Sequence, residues 1–123
     1  MPTNSPILKL PASTFRFLTL PPNKIAIVDE DRFEALSKFA WRAVKKRFNW
    51  YAQATIQTKG GPVEISMHRF IARTPLGMVC HHINRNSLDN RRSNLLNMTK
   101  FDHHRLHADN NLRKKIDPTP TIQ

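Results

Sequence analysis

The chain has 123 residues, 20 of them Lys or Arg against 9 Asp or Glu, giving a formal charge of +11 and a pI near 10.7. That length supports one modest core, or two small modules sharing one, and excludes two full domains. The charge calls for an anionic partner, most commonly nucleic acid. A membrane surface is disfavoured, because no apolar run approaches transmembrane length and no helix with a clean basic face stands out. A single cysteine excludes an internal disulfide framework and fits a reducing, cytoplasmic setting.

Residues 1–14 are rich in Pro, Ser and Thr, lack the basic and apolar regions of a secretory signal, and are expected to form a flexible arm. Residues 15–66 read as a small α/β module. Phe15–Leu20 alternates like an edge strand and is stopped by Pro21-Pro22, and Ile25–Val28 is a stronger strand. Asp29 is placed to cap a helix whose first turn carries Glu30 and Asp31 and whose buried face is Phe33, Leu36 and Ala40. Trp41–Val44, Asn49–Ile56 and Val63–Met67 then read as a small antiparallel sheet, with a turn at Gly60-Gly61-Pro62. Arg42, Lys45, Lys46, Arg47 and Tyr51 are its exposed candidates for contact with DNA. An ordinary solvated face accounts for the same charges equally well.

Met67–Ala72 is predicted as a short helix leading through Pro75-Leu76-Gly77 into the most unusual stretch of the chain. Residues 77–107 hold five of the six histidines, grouped as His81-His82 and His103-His104…His107. Imidazoles so arranged bind a transition metal as neutral ligands or move a proton. Gly77 opens a strand that ends on the histidine pair, and Asn84–Asn94 is rich in residues that bond their own backbone and so favour a loop. Leu95-Leu96 gives a brief second strand, and Thr99 with Asp102 has the form of a cap opening a helix. On that helix His103 and His107 are four residues apart and share a face, while His104 points about a quarter-turn away. A third ligand must come from the strand pair. Adjacent strand residues face opposite ways, so one of His81 and His82 is free to bind metal while its neighbour faces substrate. Three protein ligands with an open fourth position mark a catalytic zinc-type site.

The run VCHHIN, with LDNRRSNL and the later histidines four residues apart, resembles the His-Asn-His (HNH) endonucleases of phage and homing type over residues 67–107. The resemblance implies an α+β chain: a small antiparallel sheet with a helix, then a ββα-metal motif spanning 67–110. It implies hydrolysis of DNA phosphodiesters, with His82 as general base and Asn94 as the brace of the loop between the strands. His81, His103 and His107 become ligands of one divalent ion, His81 standing where many members carry an aspartate. An all-imidazole set favours zinc or nickel in binding strength, with magnesium and manganese as the other candidates. The implied partner is double-stranded DNA in a bacterial or phage-infected cell, held in part by Arg85, Arg91 and Arg92 of the motif loop.

His68 and His104 are read as ordinary surface or core histidines, and Cys80 as a small buried hydrophobe, since a thiolate would close the open position. Residues 111–123 read as a basic, proline-containing tail. The competing reading is a non-enzymatic DNA-binding module around a structural zinc, which predicts metal-dependent folding without cleavage and leaves His82 no role. A basic RNA-binding accessory protein would explain the charge but not the histidine spacing.

Overall fold

The structure, a computed structural model, describes residues 14–116. It is α+β, with short antiparallel strands and few helices. Phe15–Leu20 (β1) and Lys24–Asp29 (β2) form a hairpin in which Phe15 pairs with Asp29 and Leu20 with Lys24. A separate three-stranded sheet follows, ordered β3 (Arg42–Lys46), β4 (Asn49–Thr58), β5 (Gly61–Ser66). The alternation of β4 sorts its residues: Ala52 and Ala54 enter the core, while Tyr51 and Gln53 face a cleft on the other side. Alanine at both core positions leaves room for the helix α2 (Met67–Ala72), which lays Met67 and Ile71, one turn apart, against the sheet. Leu20, Ala26, Val28, Leu36 and Trp41 complete the core, the Trp41 indole donating to the Leu36 carbonyl at 2.8 Å.

The last part of the chain is a hairpin and a helix. β6 (Met78–His82) pairs antiparallel with β7 (Leu95–Thr99), placing His81 opposite Leu96 and His82 opposite Leu95. Helix α3 (Lys100–Ile116) follows directly, its start capped by the Thr99 hydroxyl, which accepts from the Asp102 N–H at 3.0 Å. This hairpin is fastened to α2 chiefly by the Asn97 amide, which donates to the Ala72 carbonyl at 2.8 Å, and the Arg69 guanidinium, which donates to the Met78 carbonyl at 2.8 Å.

Several expectations shift. The helix after Asp29 is only a 3-10 turn, Glu30–Arg32, and one α turn, α1 (Phe33–Leu36), so Ala40 lies beyond it and is exposed. Asp29 does not cap that turn. Its carboxylate instead accepts the Arg92 backbone N–H at 2.8 Å, a partner 63 residues away that outcompetes the local one. The second strand of the motif runs to Thr99, because pairing with β6 extends it beyond the apolar Leu95-Leu96. Helix α3 passes Asn110-Asn111 and continues to Ile116, so the expected tail begins inside a helix; no Gly or Pro precedes Pro118 to stop it. Residues 1–13 of the arm expected at 1–14, and residues 117–123 of the tail, lie outside the described residues. Among those described, no helix is long and apolar enough to cross a membrane.

Asp29 is 8% exposed and joins the N-terminal hairpin to the motif loop. Asp29→Ala is therefore expected to lower unfolding free energy in urea by about 1–3 kcal/mol, the usual worth of a hydrogen bond to a charged group. Asp31→Ala, which removes an exposed ion pair with Arg92, is expected to change it by less than about 1 kcal/mol.

Candidate functional site

The loop joining β6 to β7 is held open in one shape by its own polar side chains. Asn94, 5% exposed, accepts the Asn84 N–H at 2.8 Å and donates to the Asn84 side-chain oxygen at 2.9 Å and the Asp89 carbonyl at 2.8 Å. Asp89, fully buried, accepts from Asn84 at 2.8 Å and from the Arg91 guanidinium at 2.8 and 2.6 Å. Burial opposes ionisation of Asp89, but the bonds from Arg91 and Asn84 outweigh it and hold the carboxyl below its usual range. The loop also extends the N-terminal hairpin: Ile27 donates to the Leu88 carbonyl at 2.8 Å and accepts from the Asn90 N–H at 2.7 Å, in a parallel bridge beside β2.

That loop presents the end of β6, where the two histidines part. His81 turns toward α3, its ring centroid 5.3 Å from His103 and 5.9 Å from His107. One ligand nitrogen from each of the three lies within 4.8 Å of the others, and His103 Nε2 and His107 Nε2 are 3.2 Å apart. Two ligands of a tetrahedral zinc-type ion stand about 3.3 Å apart, a spacing that the His103 and His107 nitrogens already have, with the His81 nitrogen inside the 4.8 Å limit as the third donor. Burial lowers the pKa of His81 and His103, and each is lowered further by neighbouring imidazoles, which favours the neutral form a ligand needs. Cys80 is buried with its Sγ directed at the His68 carbonyl, 3.7 Å away, and is not part of the trio. His104 is exposed on another face.

His82 turns the other way. Its Nε2 lies 2.8 Å from Asn90 Oδ1, and since an amide oxygen only accepts, Nε2 carries the hydrogen and Nδ1 keeps the lone pair. Burial lowers the pKa of His82, opposed by the bond to Asn90 and the charge of Asp89. The Asn90 Nδ2 is buried without a partner among the described residues, an arrangement that costs about 1–3 kcal/mol. The Nε2–Oδ1 bond ties the orientation of the imidazole to that of the amide.

Two residues that the sequence does not single out, His68 and Asn90, stand beside His82. His68 is a ring neighbour of His82, 4.9 Å between centroids, with Tyr51 5.6 Å beyond it, and burial together with the nearby His82 pushes its pKa down to about 4. Asn90 was hidden in a run of loop-forming residues. The signal for His68 was its place at the second position of α2, where Met67 and Ile71 take the core face and leave it the cleft; the signal for Asn90 exists only in three dimensions.

The trio, His82, His68 and Tyr51 all line one cleft of about 670 Å³. Of the cations expected to meet DNA, Lys46, Arg47 and Arg85 line it as well, joined by Lys100 and Arg69. Arg42, Lys45, Arg91 and Arg92 do not. Arg42 pairs with Glu64, Arg91 with Asp89, and Arg92 with Asp29 and Asp31, so these three are already matched to acids.

Asn94→Ala leaves the Asn84 N–H and the Asp89 carbonyl without their partner and is expected to cost about 2–3 kcal/mol in urea unfolding. His68 binds its proton less readily folded than unfolded, so its contribution is fully present above pH 6.5 and is lost as pH falls from there to about 4. Urea midpoints at pH 7 and pH 4.5 are expected to differ less in His68→Gln than in the wild-type chain. Comparison of the chain with protein-family models, with curated proteins and with solved structures finds no match.

Proposed function

We propose that the chain is a metal-dependent DNA endonuclease of the His-Asn-His type, with β6, β7 and α3 as its ββα-metal unit. The observation that carries this reading is the division of one strand's adjacent histidines. His81 completes an imidazole trio with His103 and His107, and His82 lines the same cleft with its Nε2 engaged by Asn90.

His81, His103 and His107 would hold one divalent ion, zinc or nickel binding more tightly than magnesium or manganese at imidazole nitrogen. An ion there supplies Lewis-acid stabilisation of the negative charge that builds on a phosphodiester under attack. The remaining work belongs to the chain. Lys46, Arg47, Arg85 and Lys100, which have no acidic partner in ion-pairing range among the described residues, hold a nucleic-acid strand along the cleft with release of its counterions. His82 accepts a proton at Nδ1 from the attacking water while the oxygen bonds to phosphorus and the phosphorus–O3′ bond breaks in line. Asn90 keeps the ring in the tautomer that this requires. Asn94 acts at a distance, through the loop.

Calorimetric titration with Zn²⁺ is expected to give one site per chain, lost in His103→Ala and in His107→Ala and retained in His104→Ala. In supercoiled-plasmid assays with Mg²⁺, Mn²⁺, Ni²⁺ or Zn²⁺, the wild-type chain is expected to relax or linearise the substrate. His82→Ala, folded and binding duplex equally well, is expected to be slower by about 10²–10⁴-fold, the usual contribution of a general base. A wild-type chain that binds metal and duplex but leaves the plasmid intact with every ion overturns the reading in favour of a non-enzymatic module around a structural zinc.

A further inference from the structure

Among the exposed large hydrophobic side chains, Phe48 is singled out by its position. It is 88% exposed at the tip of the β3–β4 hairpin, and its residue lines the cleft that holds the histidines, whereas Leu76 and Phe101, also well exposed, do not line it. The tip is a two-residue turn, Arg47-Phe48, closed by the Lys46–Asn49 pair. Its first residue has φ 57°, a left-handed conformation in which hairpin turns favour glycine or asparagine. The chain places an arginine there, and another at Arg85, φ 68°, in the motif loop that also lines the cleft. Two turns facing the cleft thus carry a cation where the backbone would favour a small residue.

We propose that Phe48 is a wedge that stacks on a base of bound duplex DNA, unstacking one step beside the phosphate held in the cleft. The proposal rests on the reading of the chain as a DNA endonuclease. Charge complementarity selects this occupant: Lys45, Lys46 and Arg47 precede Phe48, and residues 42–58 contain no acid. A lone aromatic among cations is too small for a protein interface but matches the apolar wedges that enter between base steps and the rings on which bases stack. The wedge is also held in place. Ser87, in the motif loop, donates its hydroxyl to the Trp50 carbonyl on β4, so the hairpin and the loop carrying Arg85 are fastened together.

The test uses the full chain in EDTA, where turnover is arrested, with mixed-sequence duplexes carrying 2-aminopurine at successive positions. The wild-type chain and Phe48→Trp are expected to raise 2-aminopurine fluorescence at one or two adjacent positions, while Phe48→Ala leaves it unchanged and binds about tenfold more weakly. The salt dependence of binding should be the same for Phe48→Ala as for wild type, since no charge is lost, and shallower by about 0.9 for Arg47→Ala. Equal circular dichroism melting of the variants shows that the hairpin tip is not needed for folding. If Phe48→Ala binds as well as wild type and no position brightens with wild type, the wedge is overturned, whether or not the plasmid is cut. Brightening that depends on Phe48 in a chain that cuts no plasmid keeps the wedge and overturns the nuclease, and absence of duplex binding overturns both.

Discussion

The side chain of Asn94 is the constraint on which the rest of the site depends. The eleven-residue stretch from Asn84 to Asn94 is polar and folds back into the protein, where every unpaired amide carries a desolvation cost. Asn94 closes it with three hydrogen bonds, two to Asn84 at the loop's start and one to Asp89 at its middle. Asp89 then carries a buried negative charge that Arg91 and Asn84 satisfy. Asn84, Asp89, Arg91 and Asn94 thus form one connected network, the condition under which buried polar groups rigidify a structure rather than weaken it, and Asn90 Nδ2 stands outside it. A rigid loop is what lets β6 end at a defined point and deliver two histidines in opposite directions.

The hydrophobic core serves the site from beneath. Ala52 and Ala54 on β4 and Met67 and Ile71 on α2 bring sheet and helix close, and the residues between them, Tyr51, Gln53 and His68, are left to line the cleft. The N-terminal hairpin adds a second support, since Ile27 bonds the motif loop through its backbone and Asp29 accepts the Arg92 N–H. The two halves of the chain are therefore interdependent. The acidic turn at residues 29–31, which composition alone marks as a departure from the basic chain, is where the motif loop docks.

The positive charge divides into two populations. Arg16, Arg42 and Arg92 are paired with acids on other elements, and Arg91 with Asp89 inside the motif loop. Lys46, Arg47, Arg85 and Lys100 line the cleft and face no acid among the described residues. The net charge is an argument about partners in general, whereas this second group is an argument about where an anionic strand would lie.

Much of this was legible in the residues themselves. The helical spacing of His103 and His107 and the strand alternation that separates His81 from His82 are consequences of backbone periods, which sequence states directly. So too is the α2 span, where Met67 and Ile71 recur at one turn, and the Thr99 cap, which needs only a hydroxyl three residues from its N–H. What sequence could not decide is which distant group wins a shared partner. Asp29 is a good local cap and nevertheless bonds Arg92; Arg91 and Arg92 look like free cations and are matched to Asp89, Asp29 and Asp31; Asn90 is one of several loop asparagines and alone meets His82. The Asp29–Arg92 and Asp31–Arg92 pairings span more than sixty residues of chain, and those of Asp89 and Asn90 depend on the burial of both side chains. Their energy is settled by the whole fold, because desolvation makes a long-range partner worth more than a local one left in water.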